Sequence, residues 1–147
     1  MATTRSINLN IVDDAPMSDI VQLEACIDGY NAARTGIDDA RLLSIMLKRP
    51  SGELYAGLHG HTWGGTCQVK LLWVAEQERG RGLGAALLQA AEREARRRGC
   101  KQVMLATHSF QAPGFYEKYG YERIATLADN PTGHTDILMV KQFTAGT

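Results

Sequence analysis

The sequence predicts an α/β chain of the α+β kind, a central mixed, largely antiparallel sheet of about six to seven strands flanked by helices. Three observations predict it. Short apolar runs recur along the chain between turn residues, one strongly helical period occupies residues 82–98, and a glycine-rich turn carries the most apolar run directly into that helix. At 147 residues, 44% of them hydrophobic and 22% charged, the chain can bury one core without disulfides or a structural metal but is too short for a second full domain. No repeat, low-complexity tract or linker divides it, so residues 1–147 are read as a single domain.

Taken in order, residues 6–12 alternate Ile7, Leu9 and Ile11 with Asn8 and Asn10, the period of a half-buried strand, and Asp13, Asp14 and Pro16 close it. From Ser18 the apolar positions Ile20, Val21, Leu23, Ile27 and Tyr30 recur at three and four. This predicts a helix to about Ala33, with Ser18 or Asp19 placed as its cap. Residues 41–48 fit a short buried helix or a strand, and the Arg49, Pro50, Ser51, Gly52 turn leading directly into residues 53–60 favours a hairpin. A loop over residues 61–65, with Trp63 at its tip, then precedes residues 67–75. There Val69, Leu71, Leu72, Trp73 and Val74 make a strand apolar enough to be central.

In residues 82–98, Leu83, Leu87, Ala90, Ala91 and Ala95 mark an inward face and Gln89, Arg93, Arg96 and Arg97 an outward one. Glu92 with Arg96, and Glu94 with Arg98, stand one turn apart as ion pairs, and Gly99 ends the helix. A strand over residues 101–107, a short helix over 111–119 and a strand over 121–128 follow. After the Asn130, Pro131, Thr132, Gly133 turn comes a last strand, over residues 134–143.

Charge excludes several functions. Sixteen Lys and Arg balance sixteen Asp and Glu, so no global field draws in nucleic acid or an anionic membrane, and a phosphate-bearing partner must be met locally. The first ten residues lack a basic segment followed by an apolar one, and the longest unbroken apolar stretch is residues 71–75; a cytoplasmic protein that does not span a membrane is expected. Cys26, Cys67 and Cys100 are odd in number, far apart and without a C-x-x-C, so they read as small core hydrophobes in a reducing compartment. His59, His61 and His134 have no metal-ligand spacing, and no metal is expected.

The informative segment is Arg79, Gly80, Arg81, Gly82, Leu83, Gly84, Ala85. Three glycines in five residues cost backbone entropy at a helix start, which is tolerable where bare amides must approach a ligand closely. A helix N-terminus flanked by Arg79 and Arg81 suits an anion, and a pyrophosphate in particular. A Walker A loop is rejected, because nothing after Gly84 supplies its Lys and hydroxyl. Gly80, Gly82 and Ala85 satisfy the dinucleotide pattern formally, but Met104, Leu105, Ala106 and Thr107 stand where its acidic residue belongs.

What remains is R-x-x-G-x-G, carried by Arg79, Gly82 and Gly84 after a strand ending in Val74. It resembles the pyrophosphate loop of the GNAT superfamily of acetyl-CoA-dependent N-acetyltransferases. A second block, Ala112, Phe115, Tyr116, Lys118, Gly120 and Tyr121, resembles that superfamily's A-x-x-F-Y-x-K-x-G-[FY] segment. The likeness is close over residues 68–121 and extends loosely, through element order, over the rest.

The resemblance implies a GNAT-like domain with splayed central strands, between which the pantetheine arm of acetyl-CoA enters. It implies transfer of an acetyl group to a primary amine by direct attack in a ternary complex. The cofactor-binding set would be Val74, Arg79, Gly80, Arg81, Gly82, Leu83, Gly84, Ala85, Ser109 and Tyr116, with Ser109 standing where many members carry Asn. The backbone N–H of Val74, beside a bulge, would receive the thioester oxygen. Tyr116 would protonate the departing thiolate, since a phenol of pKa about 10 can protonate a thiolate whose acid lies near 8.5. For the base the residues leave His108, Glu76, Glu78 or a water chain open, with His59, His61 and Trp63 on a hairpin where an acceptor could bind. A small-molecule amine is the preferred acceptor. A protein N-terminus or Lys is the alternative within the class, a non-catalytic acetyl-CoA sensor the alternative outside it, and the resemblance also allows a homodimer.

Overall fold

A computed structural model describes residues 6–144. They fall into two compact units, divided between Asp38 and Asp39. The first holds one helix, α1 (Met17–Thr35), closed by Gly36 in the left-handed region at φ 74°, whose amide returns to the Ala32 carbonyl at 2.8 Å. The strand expected over residues 6–12 is absent. Alternation sorts side chains between two faces, but a strand forms only where its N–H and C=O groups meet a neighbour, and these residues join no ladder. Ile11 is 96% exposed. The expected side-chain cap also fails: the helix begins one residue early, at Met17, so Ser18 and Asp19 lie within its first turn and the Pro16 carbonyl accepts the Asp19 amide at 3.0 Å. No residue of α1 is buried, and Cys26 on it is exposed rather than a core residue.

The second unit is a six-stranded sheet with two helices. Its strands are β1 (Arg41–Lys48), β2 (Leu54–Trp63), β3 (Thr66–Val74), β4 (Gln102–His108), β5 (Glu122–Ala128) and β6 (Thr135–Gln142), in spatial order β1-β2-β3-β4-β6-β5. Every neighbouring pair is antiparallel except β3 and β4. That parallel pair requires a crossover, which α2 (Leu83–Arg97) supplies, whereas α3 (Pro113–Lys118) follows β4. Residues 41–48 are the strand of a hairpin, as the turn at 49–52 implied. The predicted loop at 61–65 shrinks to Gly64 and Gly65. Both have positive φ, 59° and 88°, the backbone of a two-residue hairpin turn, so β2 runs on through Trp63.

The core lies between α2 and the sheet: Leu87, Leu88, Ala91 and Ala95 pack with Leu58, Cys67, Val69, Val103, Leu105 and Met139. Cys67 and Cys100 are buried, and their burial pushes both thiols up, Cys67 to about 11. Glu94 pairs with Arg98 as expected, at 3.4 Å, and with Arg97 at 2.6 Å. Glu92 does not pair with Arg96. It lies on the buried side of α2, 7% exposed, where Lys141 Nζ reaches Oε1 at 2.6 Å and the Tyr121 hydroxyl donates to Oε2 at 3.3 Å. A buried carboxylate needs such partners, and the helical period could not name a partner on another element. The end of α2 is tied to the first two strands by Arg98, which donates to the Leu42 carbonyl and to Thr62 Oγ1, both at 3.0 Å.

Candidate active site

β3 and β4 pair only from Thr66 opposite Gln102 to Val69 opposite Leu105, although β3 continues to Val74 and β4 to His108. Beyond that last pair the two strands part. The fork begins at an irregularity in the β2 and β3 register: Gly60 stands opposite Val69 and His59 opposite Leu71, leaving Lys70 as an extra residue on β3. An extra residue of this kind bends and twists its strand. The bulge is thus at Lys70, four positions before Val74. The resulting cleft, about 700 Å³, is walled by residues 69–74 of β3 and 105–108 of β4, with Arg79, Phe110, Gln111, Ala112 and Tyr116.

Val74 presents its polar edge to this cleft. The next amide, that of Ala75, donates to the Tyr55 carbonyl on β2 at 2.8 Å, and amides alternate sides along an extended chain, so the Val74 N–H faces away from β2. The Val74 carbonyl, on the same edge, accepts from Arg79 Nε at 3.0 Å. Arg79 therefore lies in the cleft wall, whereas Arg81 stands outside it and pairs with Glu78 at 3.4 Å, a carboxylate that Arg49 also holds at 3.3 Å.

Gly80 and Gly82 take left-handed backbone, at φ 80° and 77°, which lets the chain turn sharply from the Glu76–Glu78 turn into α2. The Ala86 amide donates to the Gly82 carbonyl at 3.0 Å as the first bond of the helix, which leaves the Leu83, Gly84 and Ala85 amides without an intrahelical acceptor. No acidic side chain occupies that first turn. These amides at the positive end of α2, with Arg79 alongside, fit a pyrophosphate.

Tyr116 on α3 also forms part of the wall. Its ring meets those of Phe115 and Tyr121 edge-on, with centroids 5.1 and 5.8 Å away, and burial raises its phenol above the ordinary value, keeping it protonated. His108 ends β4 on the same cleft. Its backbone N–H donates to Gln111 Oε1 at 2.8 Å, so that atom is an acceptor, and the imidazole Nδ1 3.1 Å from it must carry the proton. In the neutral ring Nε2 then carries the lone pair. Thr107 Oγ1 donates to the same oxygen at 3.3 Å.

The structure thus brings Val74, Arg79, His108 and Tyr116 to one cleft. Residues 80–85 lie on the turn and helix start beside it. Ser109 is elsewhere: its hydroxyl accepts the Thr135 amide at 3.0 Å and its own amide donates to the Thr135 carbonyl, so it is held on β6 and is not part of the wall. Glu76, Glu78 and His61 are likewise outside the wall, and His59 bonds Ser44 through Nδ1 at 2.6 Å. Sequence reasoning missed Gln111. Its one signal is position, three residues after His108 in the loop that returns past β4. Among the described residues no group of three His, Cys, Asp or Glu could hold a metal, and no helix is long and apolar enough to cross a membrane.

The acetyltransferase (GNAT) domain family matches residues 45–123. An acetyltransferase of Agrobacterium fabrum is 36% identical over 133 residues, 86% of this chain and 97% of that protein. The blasticidin-S acetyltransferase of Streptomyces morookaense is 42% identical over 114 residues, 75% of this chain and 84% of that one. A crystal structure of an Agrobacterium tumefaciens protein superposes with a TM-score of 0.81 at 34% identity, over 93% of this chain and all of the other.

Proposed function

The chain belongs to the GNAT acetyltransferases and is an acyltransferase, and we propose that it moves an acetyl group from acetyl-CoA to the primary amine of a small molecule by direct attack in a ternary complex. The observation that carries this reading is the fork between β3 and β4, whose wall joins an inward-facing amide, a protonated phenol and an imidazole whose Nδ1 is bonded to Gln111. The residue types fit acetyl-CoA. The amides of Leu83, Gly84 and Ala85, with Gly80, Arg81 and Gly82 shaping the turn and Arg79 beside it, would hold the pyrophosphate. When bound, acetyl-CoA supplies an activated carbonyl and a thiolate leaving group.

The chain's own residues then divide the proton work. His108 Nε2 takes a proton from the incoming ammonium so that its nitrogen can attack, and Gln111 keeps the accepting lone pair on that nitrogen. The Val74 N–H donates to the carbonyl oxygen as negative charge grows on it. Tyr116 gives its proton to the departing sulfur, a role suited to a phenol that burial keeps protonated, and the phenolate left behind takes up the second proton that the attacking nitrogen sheds as it becomes the amide. A small acceptor is supported by the relative that acts on blasticidin-S. The balanced charge supports a partner that is neither nucleic acid nor membrane, and three free thiols support a reducing, cytoplasmic setting.

Calorimetric titration with acetyl-CoA, followed by CoA release against a panel of amines, tests the reading. Saturable binding and amine-dependent release are expected. Tyr116→Phe should retain acetyl-CoA affinity while lowering kcat on the order of 10²- to 10⁴-fold. Binding without release for any amine, unchanged by Tyr116→Phe, would identify a sensor instead.

A further inference from the structure

We propose that Gly60 is a positioning residue of the acyl-transfer site: its missing β-carbon admits the Gln68 carbonyl, holds the Lys70 bulge and so parts β3 from β4. The inference rests on the reading that this cleft takes the thioester. A β-carbon built on Gly60 would lie 2.0 Å from the Gln68 carbonyl oxygen, 3.0 Å from its carbon and 3.1 Å from Val69 Cα. All three are backbone atoms, with no flexible end to swing aside. Gly57, also on β2, would meet nothing closer than 3.1 Å, and its register is regular.

The contact coincides with the fork. Gly60 is the residue opposite Val69, the next β3 residue is the bulged Lys70, and Val69 with Leu105 is the last pair that β3 and β4 make. The cleft wall starts at those same residues. A bulge draws two backbones together on one side and bends the strand, and a glycine within a strand marks such a close approach. Any other side chain at position 60 must push the Gln68 carbonyl away. Flattening the bulge would let β3 continue in register beside β4, where the Val74 amide would point at a neighbouring strand instead of a substrate. A misplacement of about 1 Å at such a donor lowers turnover on the order of 10²-fold.

The test combines Gly60→Ala with deletion of Lys70. Gly60→Ala should stay folded by circular dichroism, bind acetyl-CoA at least about tenfold more weakly and lose on the order of 10²-fold in kcat. Deleting Lys70 returns β3 to strict alternation, so the drop in Tm caused by Gly60→Ala should largely vanish in that background while acetyl-CoA binding stays at least about tenfold weakened. Gly60→Ala with affinity and kcat within twofold of the parent would overturn the proposal. So would an equal drop in Tm with and without Lys70. The Tm cycle needs no ligand, so it still decides between coupled and uncoupled residues if Gly60→Ala is poorly folded or if the parent binds no acetyl-CoA; the latter result alone counts against the acetyl-CoA reading.

Discussion

Replacing Lys141 by Met strands a carboxylate in the core. Lys141 Nζ lies 2.6 Å from Glu92 Oε1, and the two side chains are 24% and 9% exposed. At that separation and an effective dielectric constant of about 20, the attraction is about 6 kcal/mol before desolvation is subtracted. Lys141→Met loses the attraction but leaves Glu92 dehydrated, with only the Tyr121 hydroxyl at 3.3 Å. Removing one partner of a buried pair costs about 3–5 kcal/mol, and the partial exposure of Lys141 places this pair near 3. For a chain of this size that corresponds to a fall in Tm of about 10 °C. Glu92→Gln in the same chain keeps an acceptor for Tyr121 and removes the lone charge, so the double variant should regain at least half of the loss. Urea and thermal unfolding followed by circular dichroism read both. A single-variant loss below about 1 kcal/mol, or a double variant no better than the single, would show that the pair is not buried in the energetic sense argued.

Gly82→Ala should destabilise the fold by about 1–2 kcal/mol because its backbone is left-handed. Gly84→Ala, inside the helix with its added methyl group 3.5 Å from Phe115, should instead be neutral or stabilising by up to about 1 kcal/mol, yet weaken acetyl-CoA in calorimetry by crowding the amides proposed to bind the pyrophosphate. Gln111→Glu sets a carboxylate against the His108 ring and favours its charged form, so the acidic limb of kcat/KM should move to higher pH; an unmoved limb would remove His108 from the mechanism. Burial pushes the Cys67 thiol from 9.0 to about 11, so its contribution to stability is fully present below pH 9.0 and is lost as pH rises to about 11. Urea melts of Cys67→Ala beside the parent should show a shallower alkaline decline in the variant, and before unfolding only the exposed Cys26 should react with a thiol reagent.

What was legible in the sequence is what lies close together along it. The left-handed Gly80 and Gly82, the open amides that follow and Tyr116 on a short helix are each encoded within a few residues. The parallel neighbours β3 and β4 follow from a helix placed between two strands. Relations across the sheet were hidden. Glu92 finds Lys141 49 residues away, and Lys70 is an extra residue only by comparison with Gly60 on the neighbouring strand. Residues 6–12 show the converse, a local alternation without a neighbouring strand to complete it. Ser109 shows how a motif position can be displaced: two hydrogen bonds to Thr135 hold it on β6, and the amide side chain at the cleft is that of Gln111.

Arg79 reaches from the glycine turn back to the Val74 carbonyl, so in the proposed reaction one side chain would span the phosphates and the residue whose N–H meets the reacting carbonyl. The two ends of the bound thioester would thereby be linked through the protein as well as through the cosubstrate. Energy gained at the diphosphate would then help hold Val74 in place rather than only tighten attachment. An abbreviated donor, such as an acetylated pantetheine lacking the nucleotide, would then react slowly even at saturating concentration. Nucleotide without thioester would firm a site that has nothing to transfer, and in this sense the handle of the donor serves as part of the tool.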